Sequence, residues 1–131
     1  MDCIFCKIAN GEIPCYKIYE DDYVFSFLDA NPDSDGHTLI IPKKHFIDLD
    51  DIDLETLKHI NNASKKVKKL LEEKLVCSGI SLLQNNGSVQ EVKHYHMHLK
   101  PYYKGKTSIE MIKHQEYISD IKEVYNKIKE N

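Results

Sequence analysis

The sequence predicts an α+β fold: a largely antiparallel five-stranded sheet with one long helix and a C-terminal helix. Two observations predict it. Short apolar runs bounded by turn residues lie on both sides of a single long amphipathic segment, and no internal repeat replaces that order with a stack of identical units.

The elements follow in chain order. Asn10-Gly11-Glu12-Ile13-Pro14 carries turn residues, after which Tyr16–Tyr19 and Tyr23–Leu28 read as a hairpin of strands around the acidic Glu20-Asp21-Asp22. Asp29 to Gly36 is dense in Asp, Asn, Pro and Gly and reads as a loop. His37-Thr38-Leu39-Ile40-Ile41 then forms a third strand, stopped by Pro42. From about Asp53 to Leu75, apolar Leu54, Leu57, Ile60, Ala63, Val67, Leu70, Leu71 and Leu75 recur at three- and four-residue steps, which predicts the long helix with Asp53 as its N-cap. Gly79–Gln84 reads as a fourth strand, Asn85–Ser88 as a turn, and Val92–Pro101 as a fifth strand antiparallel to the fourth. The tail, residues 109–131, has a weaker helical pattern through Met111, Ile118, Ile121, Val124 and Ile128, and is expected to pack on the sheet or on a partner.

Composition narrows the function. The 131 residues suit a single domain, 1–131. No apolar run approaches the roughly 20 residues that span a bilayer, so no membrane partner is expected. Met1–Cys6 has an acid where an export signal needs positive charge, which predicts a cytoplasmic protein. A formal charge of -3 has the wrong sign for holding nucleic acid, although a small nucleotide remains compatible. All 18 basic residues are lysines, so any phosphate must be met by imidazoles, backbone N–H groups or ammonium rather than a guanidinium fork. Cys3 and Cys6 have the spacing of a zinc half-site, while Cys15 and Cys77 read as buried thiols.

The densest chemistry is His94-Tyr95-His96-Met97-His98. On a strand, alternate side chains share a face, so the three imidazoles line one side and Tyr95, Met97 and Leu99 the other. Imidazole titrates near neutrality and serves as nucleophile, proton donor or metal ligand. Three readings of the row follow: covalent catalysis with His96 attacking phosphorus, a metal site, or satisfied structural histidines. A metal bound by all three is disfavoured because the alternate spacing spreads the rings. His59 and His114 match no motif and read as solvated.

Taken together, Asp29, Gly36-His37-Thr38-Leu39-Ile40-Ile41-Pro42-Lys43-Lys44-His45, Asn85-Asn86-Gly87, Gln90 and His94–His98 resemble the histidine-triad (HIT) family, and most closely its Hint-like bacterial branch. The resemblance implies the HIT-like fold, His96 as nucleophile, His98 and His37 assisting at the phosphate and in proton transfer, Asp29 on the ribose hydroxyls, and Asn85 and Gln90 on the phosphate and sugar side. It also implies a homodimer, and a structural Zn2+ held by Cys3, Cys6, His45 and His94 with no metal in the chemical step. The implied activity is hydrolysis of purine nucleoside 5'-phosphoramidates or related conjugates at the α-phosphate; the alternatives are a nucleotide-binding scaffold dimer with little turnover and a dinucleoside polyphosphate hydrolase. The pattern departs between Gly87 and His94, where the chain is two residues shorter than usual and Glu91 replaces a hydroxyl residue. An ionised carboxylate there repels an anion. Lys100 shares the histidines' parity and is expected at the pocket mouth, where it would offset Glu91.

Overall fold

The computed structural model describes residues 2–106 and 108–129, so the ends of the 1–131 domain expectation lie outside the described residues. Five strands, β1 (Lys17–Glu20), β2 (Val24–Leu28), β3 (Thr38–Pro42), β4 (Gly79–Gln84) and β5 (Met97–Tyr102), form one antiparallel sheet of order β1-β2-β3-β5-β4. The predicted α+β architecture, with a long helix and a C-terminal helix, is therefore present.

The sheet is covered on both faces, which explains why β2 and β3 read as unbroken apolar runs rather than alternating ones. On one face lies α2 (Leu54–Lys74), whose Ile60, Ala63, Val67 and Leu71 pack with Val24, Ile40, Tyr95 and Leu99. Asp53 caps α2, its carboxylate accepting the Thr56 N–H at 2.8 Å. The other face carries α1 (Ile4–Ala9), whose Phe5 and Ile8 pack on Phe25, Phe27, Leu39 and Ile41. Burying two such side chains contributes roughly 3–6 kcal/mol, enough to hold a helix too short to persist alone.

Several boundaries differ from the expectation. Helix α1 was not anticipated: it spans six residues, and its N-cap is Cys3, whose sulfur accepts the Cys6 N–H at 3.3 Å. The fifth strand begins at Met97 rather than Val92, because the chain from Glu91 to His94 is bent, and just beyond it Tyr95 makes its own N–H bond of 2.7 Å to the Phe46 carbonyl. His37 precedes β3, and Pro42 is that strand's last residue rather than its terminator. Cys15 and Cys77 are half-buried, and His59 is not simply solvated but stacks on Tyr23 at 3.7 Å between centroids. Among the described residues of the tail, a 3-10 turn (Gln115–Tyr117) and α3 (Ile121–Ile128, capped by Asp120) are the helical parts. No residue of α3 is buried, so the tail helix packs on neither face of its own sheet among the described residues.

One glycine fixes the approach to the site. Gly36, just before His37, has φ +88°, and a Cβ there would meet the Leu75 Cδ1 at 2.5 Å and the Pro101 Cγ at 3.3 Å. Both the backbone conformation and the space require the missing side chain.

Candidate active site and metal centre

The register decides which face carries the histidines. His98 stands opposite Leu39 of β3 and Leu83 of β4, and Leu39 packs under α1, so the triad row faces α1 while Met97 and Leu99 join the α2 core. The predicted division of faces thus holds although only His98 of the row lies within β5. Phe5 of α1 forms a wall, its ring edge-on to His96 at 5.0 Å and to His94 at 6.0 Å.

The tautomers follow from the partners. His96 Nδ1 lies 2.7 Å from the His94 carbonyl oxygen, which only accepts, so Nδ1 carries the proton and Nε2 keeps its lone pair. His37 Nδ1 accepts the Asp33 backbone N–H at 3.0 Å, so its proton is on Nε2, which donates to His98 Nδ1 at 2.9 Å. His98 is left with its proton on Nε2. The Asp29 carboxylate, 3.5 Å from His37 Nε2, favours that same arrangement, and the Asp29 N–H is tied to the His37 carbonyl at 2.9 Å. Asp29, His37 and His98 therefore form one chain beside His96, whose ring is 4.9 Å from that of His98.

Burial holds these imidazoles neutral. It lowers the pKa of His96 and of His37, and it pushes His98 down to about 4, with His96, His37 and Lys100 adding to the effect. A histidine whose folded pKa lies below its unfolded value near 6.5 binds fewer protons folded than unfolded between those two values. Its contribution to stability is complete above about 6.5 and is lost as the pH falls toward about 4. We expect urea unfolding to show stability flat from pH 8 to 7 and falling by about 1–3 kcal/mol toward pH 4.5. Equal stability at both ends of that range would mean the row is not held neutral.

A second cluster lies beside the first. Cys3 Sγ is 3.3 Å and Cys6 Sγ 3.5 Å from His94 Nδ1, while His45 Nδ1 is 3.1 Å from His94 Nδ1 and 3.4 Å from Cys6 Sγ. Two thiolates and two imidazoles around tetrahedral zinc stand about 3.3–3.8 Å apart, so these separations lie within a few tenths of an ångström of the edges of that tetrahedron. His94 donates from Nε2 to the Pro42 carbonyl at 2.8 Å, which leaves its Nδ1 lone pair for a metal. Burial pushes the Cys6 thiol up to about 11, with Cys3 adding, a cost that a cation amid the four atoms would reverse. Cys3, Cys6, His45 and His94 thus form a candidate zinc site. Asp29, His37 and His98 also converge, but the proton on His37 Nε2 leaves that atom no lone pair, so this trio suits a hydrogen-bonded chain rather than a metal.

The remaining predicted residues sit apart from these chains. Gln90 is buried and donates from Nε2 to the Ile47 carbonyl at 2.6 Å, while its Oε1 has no partner among the described residues. Asn85 follows β4, and neither side chain hydrogen-bonds to the triad among the described residues. Lys100 does share the triad face, but its partner is Asp33 at 2.6 Å rather than Glu91. Glu91 is exposed beside His45 and Val92, and its charge reaches His96. Sequence reasoning missed Phe5 and Asp33: a wall residue and a backbone amide leave no motif.

A row of histidines facing a short helix on an antiparallel sheet, with an aspartate-buttressed partner histidine, defines the histidine-triad class. The comparisons agree: the sequence matches the HIT domain over residues 10–105, and the chain belongs to the HIT family. It is 44% identical over 130 residues to an uncharacterised HIT-like protein of Methanocaldococcus jannaschii, covering 97% of this chain and 98% of that one. It is 44% identical over 101 residues to the adenosine 5'-monophosphoramidase HNT1 of Saccharomyces cerevisiae, covering 76% of this chain and 61% of that one. A zinc-bound histidine triad family protein of Mycobacterium smegmatis superposes with a TM-score of 0.76 at 36% identity, covering 80% of this chain and 78% of that one.

Proposed function

We propose that this protein is a nucleotide hydrolase that cleaves purine nucleoside 5'-phosphoramidates or related conjugates at the α-phosphate through a nucleotidyl-His96 intermediate. The observation that carries the reading is the partnering of the two rings, Nδ1 of His96 on the His94 carbonyl and Nδ1 of His98 on His37, which assigns a lone pair to His96 Nε2 and a proton to His98 Nε2. The first attacks phosphorus and the second donates to a phosphate oxygen. As the P–Nε2 bond forms, the bond to the leaving nitrogen breaks and that nitrogen takes a proton from solvent. Water then attacks phosphorus, the P–Nε2 bond breaks, and the proton lost from water returns to solvent. Asp29 would also meet the ribose hydroxyls. Asn85 and Gln90 would lie on the phosphate and sugar side, where the unpartnered Oε1 of Gln90 suits a donor such as a hydroxyl or an amine. Zinc would be structural, tying α1 to the triad segment and supplying no step. The name of the yeast relative supports the substrate class.

A homodimer completes the reading. Strand β4 is an open sheet edge exposing Leu82 and Leu83, and such edges are normally paired or covered.

The test compares AMP release from adenosine 5'-phosphoramidate and from diadenosine tetraphosphate, for the wild type and for Glu91→Ser. The exposed Glu91 carboxylate repels a polyphosphate leaving group more than an amine, and in a largely aqueous dielectric that repulsion amounts to about 1 kcal/mol. We expect the phosphoramidate to be the better substrate and Glu91→Ser to shift the ratio about fivefold toward the polyphosphate. Release from neither would instead indicate a binding dimer.

A further inference from the structure

Lys100 stands two residues beyond His98 on β5, on the same face, with its ammonium 2.6 Å from the Asp33 carboxylate. The Asp33 backbone N–H donates to His37 Nδ1, and His37 passes the constraint on to His98. The ion pair is thus attached to the residue whose amide decides which His37 nitrogen carries the proton. The same stretch of β5 and its continuation hold the neighbouring loop residues: the Pro101 carbonyl accepts from Ser34 Oγ at 2.7 Å, and Tyr103 donates from its hydroxyl to the Asp35 carbonyl at 2.6 Å. One segment therefore carries His98 and also fixes the loop that orients His98's partner.

We propose that Lys100 and Asp33 are positioning residues of the triad, whose ion pair holds the Asp33 amide on His37 Nδ1 and so keeps the His98 proton on Nε2. This rests on the hydrolase reading for its consequence, though not for its geometry. Were the amide to swing away, His37 could carry its proton on Nδ1 and accept at Nε2. His98 would then donate from Nδ1 and turn a lone pair toward the substrate's phosphate, where an acceptor repels an anion. The charged and titratable groups around His37 and His98 are Asp29 and Asp33 from the loop, Lys100 from β5, and His96. Asp29 favours the same His37 tautomer, so loss of Lys100 weakens the arrangement without abolishing it.

The test uses the full zinc-loaded chain, labelled with 15N at histidine, as wild type, Lys100→Met and Lys100→Arg. Ring 15N shifts report which nitrogen carries each proton, and AMP release from adenosine 5'-phosphoramidate reports function. Lys100→Met is expected to show mixed tautomers at His37 and His98 and a kcat lower by about threefold to fivefold with KM within about twofold, the most that a partly exposed ion pair can shift, while the thermal midpoint moves little. Lys100→Arg restores both readouts. Wild-type ring shifts in Lys100→Met overturn the proposal whatever the activity. Absence of AMP release from the wild type would overturn the hydrolase reading while leaving the ring shifts to decide this one.

Discussion

On the proposed mechanism, His96→Ala is expected to lose turnover by about 10⁴-fold or more while the protein stays folded and binds as much zinc as the wild type. The size of the effect follows from the proposed role: removing a nucleophile closes the covalent route altogether, whereas removing a donor only weakens one interaction. Folding survives because His96 is not among the four candidate zinc-site residues, and the space it vacates, edge-on to Phe5, costs about 2–4 kcal/mol, below the roughly 5–15 kcal/mol stability typical of a domain. Single-turnover and steady-state AMP release, with zinc content determined on the same samples, checks the expectation. A variant within about tenfold of wild type would move the chemistry away from His96.

The second large effect is on stability. Cys3→Ser removes one sulfur of the candidate zinc cluster, while its hydroxyl still offers the Cys6 N–H an acceptor at the N-cap of α1. Structural zinc binding is worth on the order of 10 kcal/mol in small peptides, but here Phe5 and Ile8 still anchor α1 by roughly 3–6 kcal/mol, so the net loss is a few kcal/mol. We expect the variant to bind less than one zinc per chain and its thermal midpoint to fall by on the order of 10 °C. Turnover falls as well, because α1 carries the Phe5 wall of the triad. The expectation fails if metal analysis finds no zinc in the wild type, or if the variant melts with it.

What the sequence made legible was set by how far each signal extends. The long helix announced itself through six turns of apolar spacing and an aspartate cap, and β2 and β3 through runs buried on both sides. Helix α1 left no such trace, because its six residues are too few for a period and its cap is a cysteine that reads as a metal ligand. The start of β5 was misplaced by five residues because an alternating pattern continues through the bent segment Glu91–His94 and on to Tyr95, whose N–H pairs with Phe46. In the site, parity gave the face of the triad and spacing gave the Cys3–Cys6 pair, while His45 and His94 as its candidate zinc partners came from the family resemblance. The protonation pattern was hidden, since it is written by the carbonyls of His94 and Pro42 and by the amide of Asp33, groups every residue possesses. Lys100 showed its face but not its partner, which comes from a loop 67 residues away.

The most direct test of the account is to look for the intermediate. Wild-type protein mixed with excess adenosine 5'-phosphoramidate, quenched within milliseconds in base to preserve phosphohistidine, and digested for tandem mass spectrometry is predicted to carry a nucleotidyl group on the peptide containing His96, with the fragment series placing it on that residue. Turnover with no adduct at His96, or with the adduct on His98, would contradict the account.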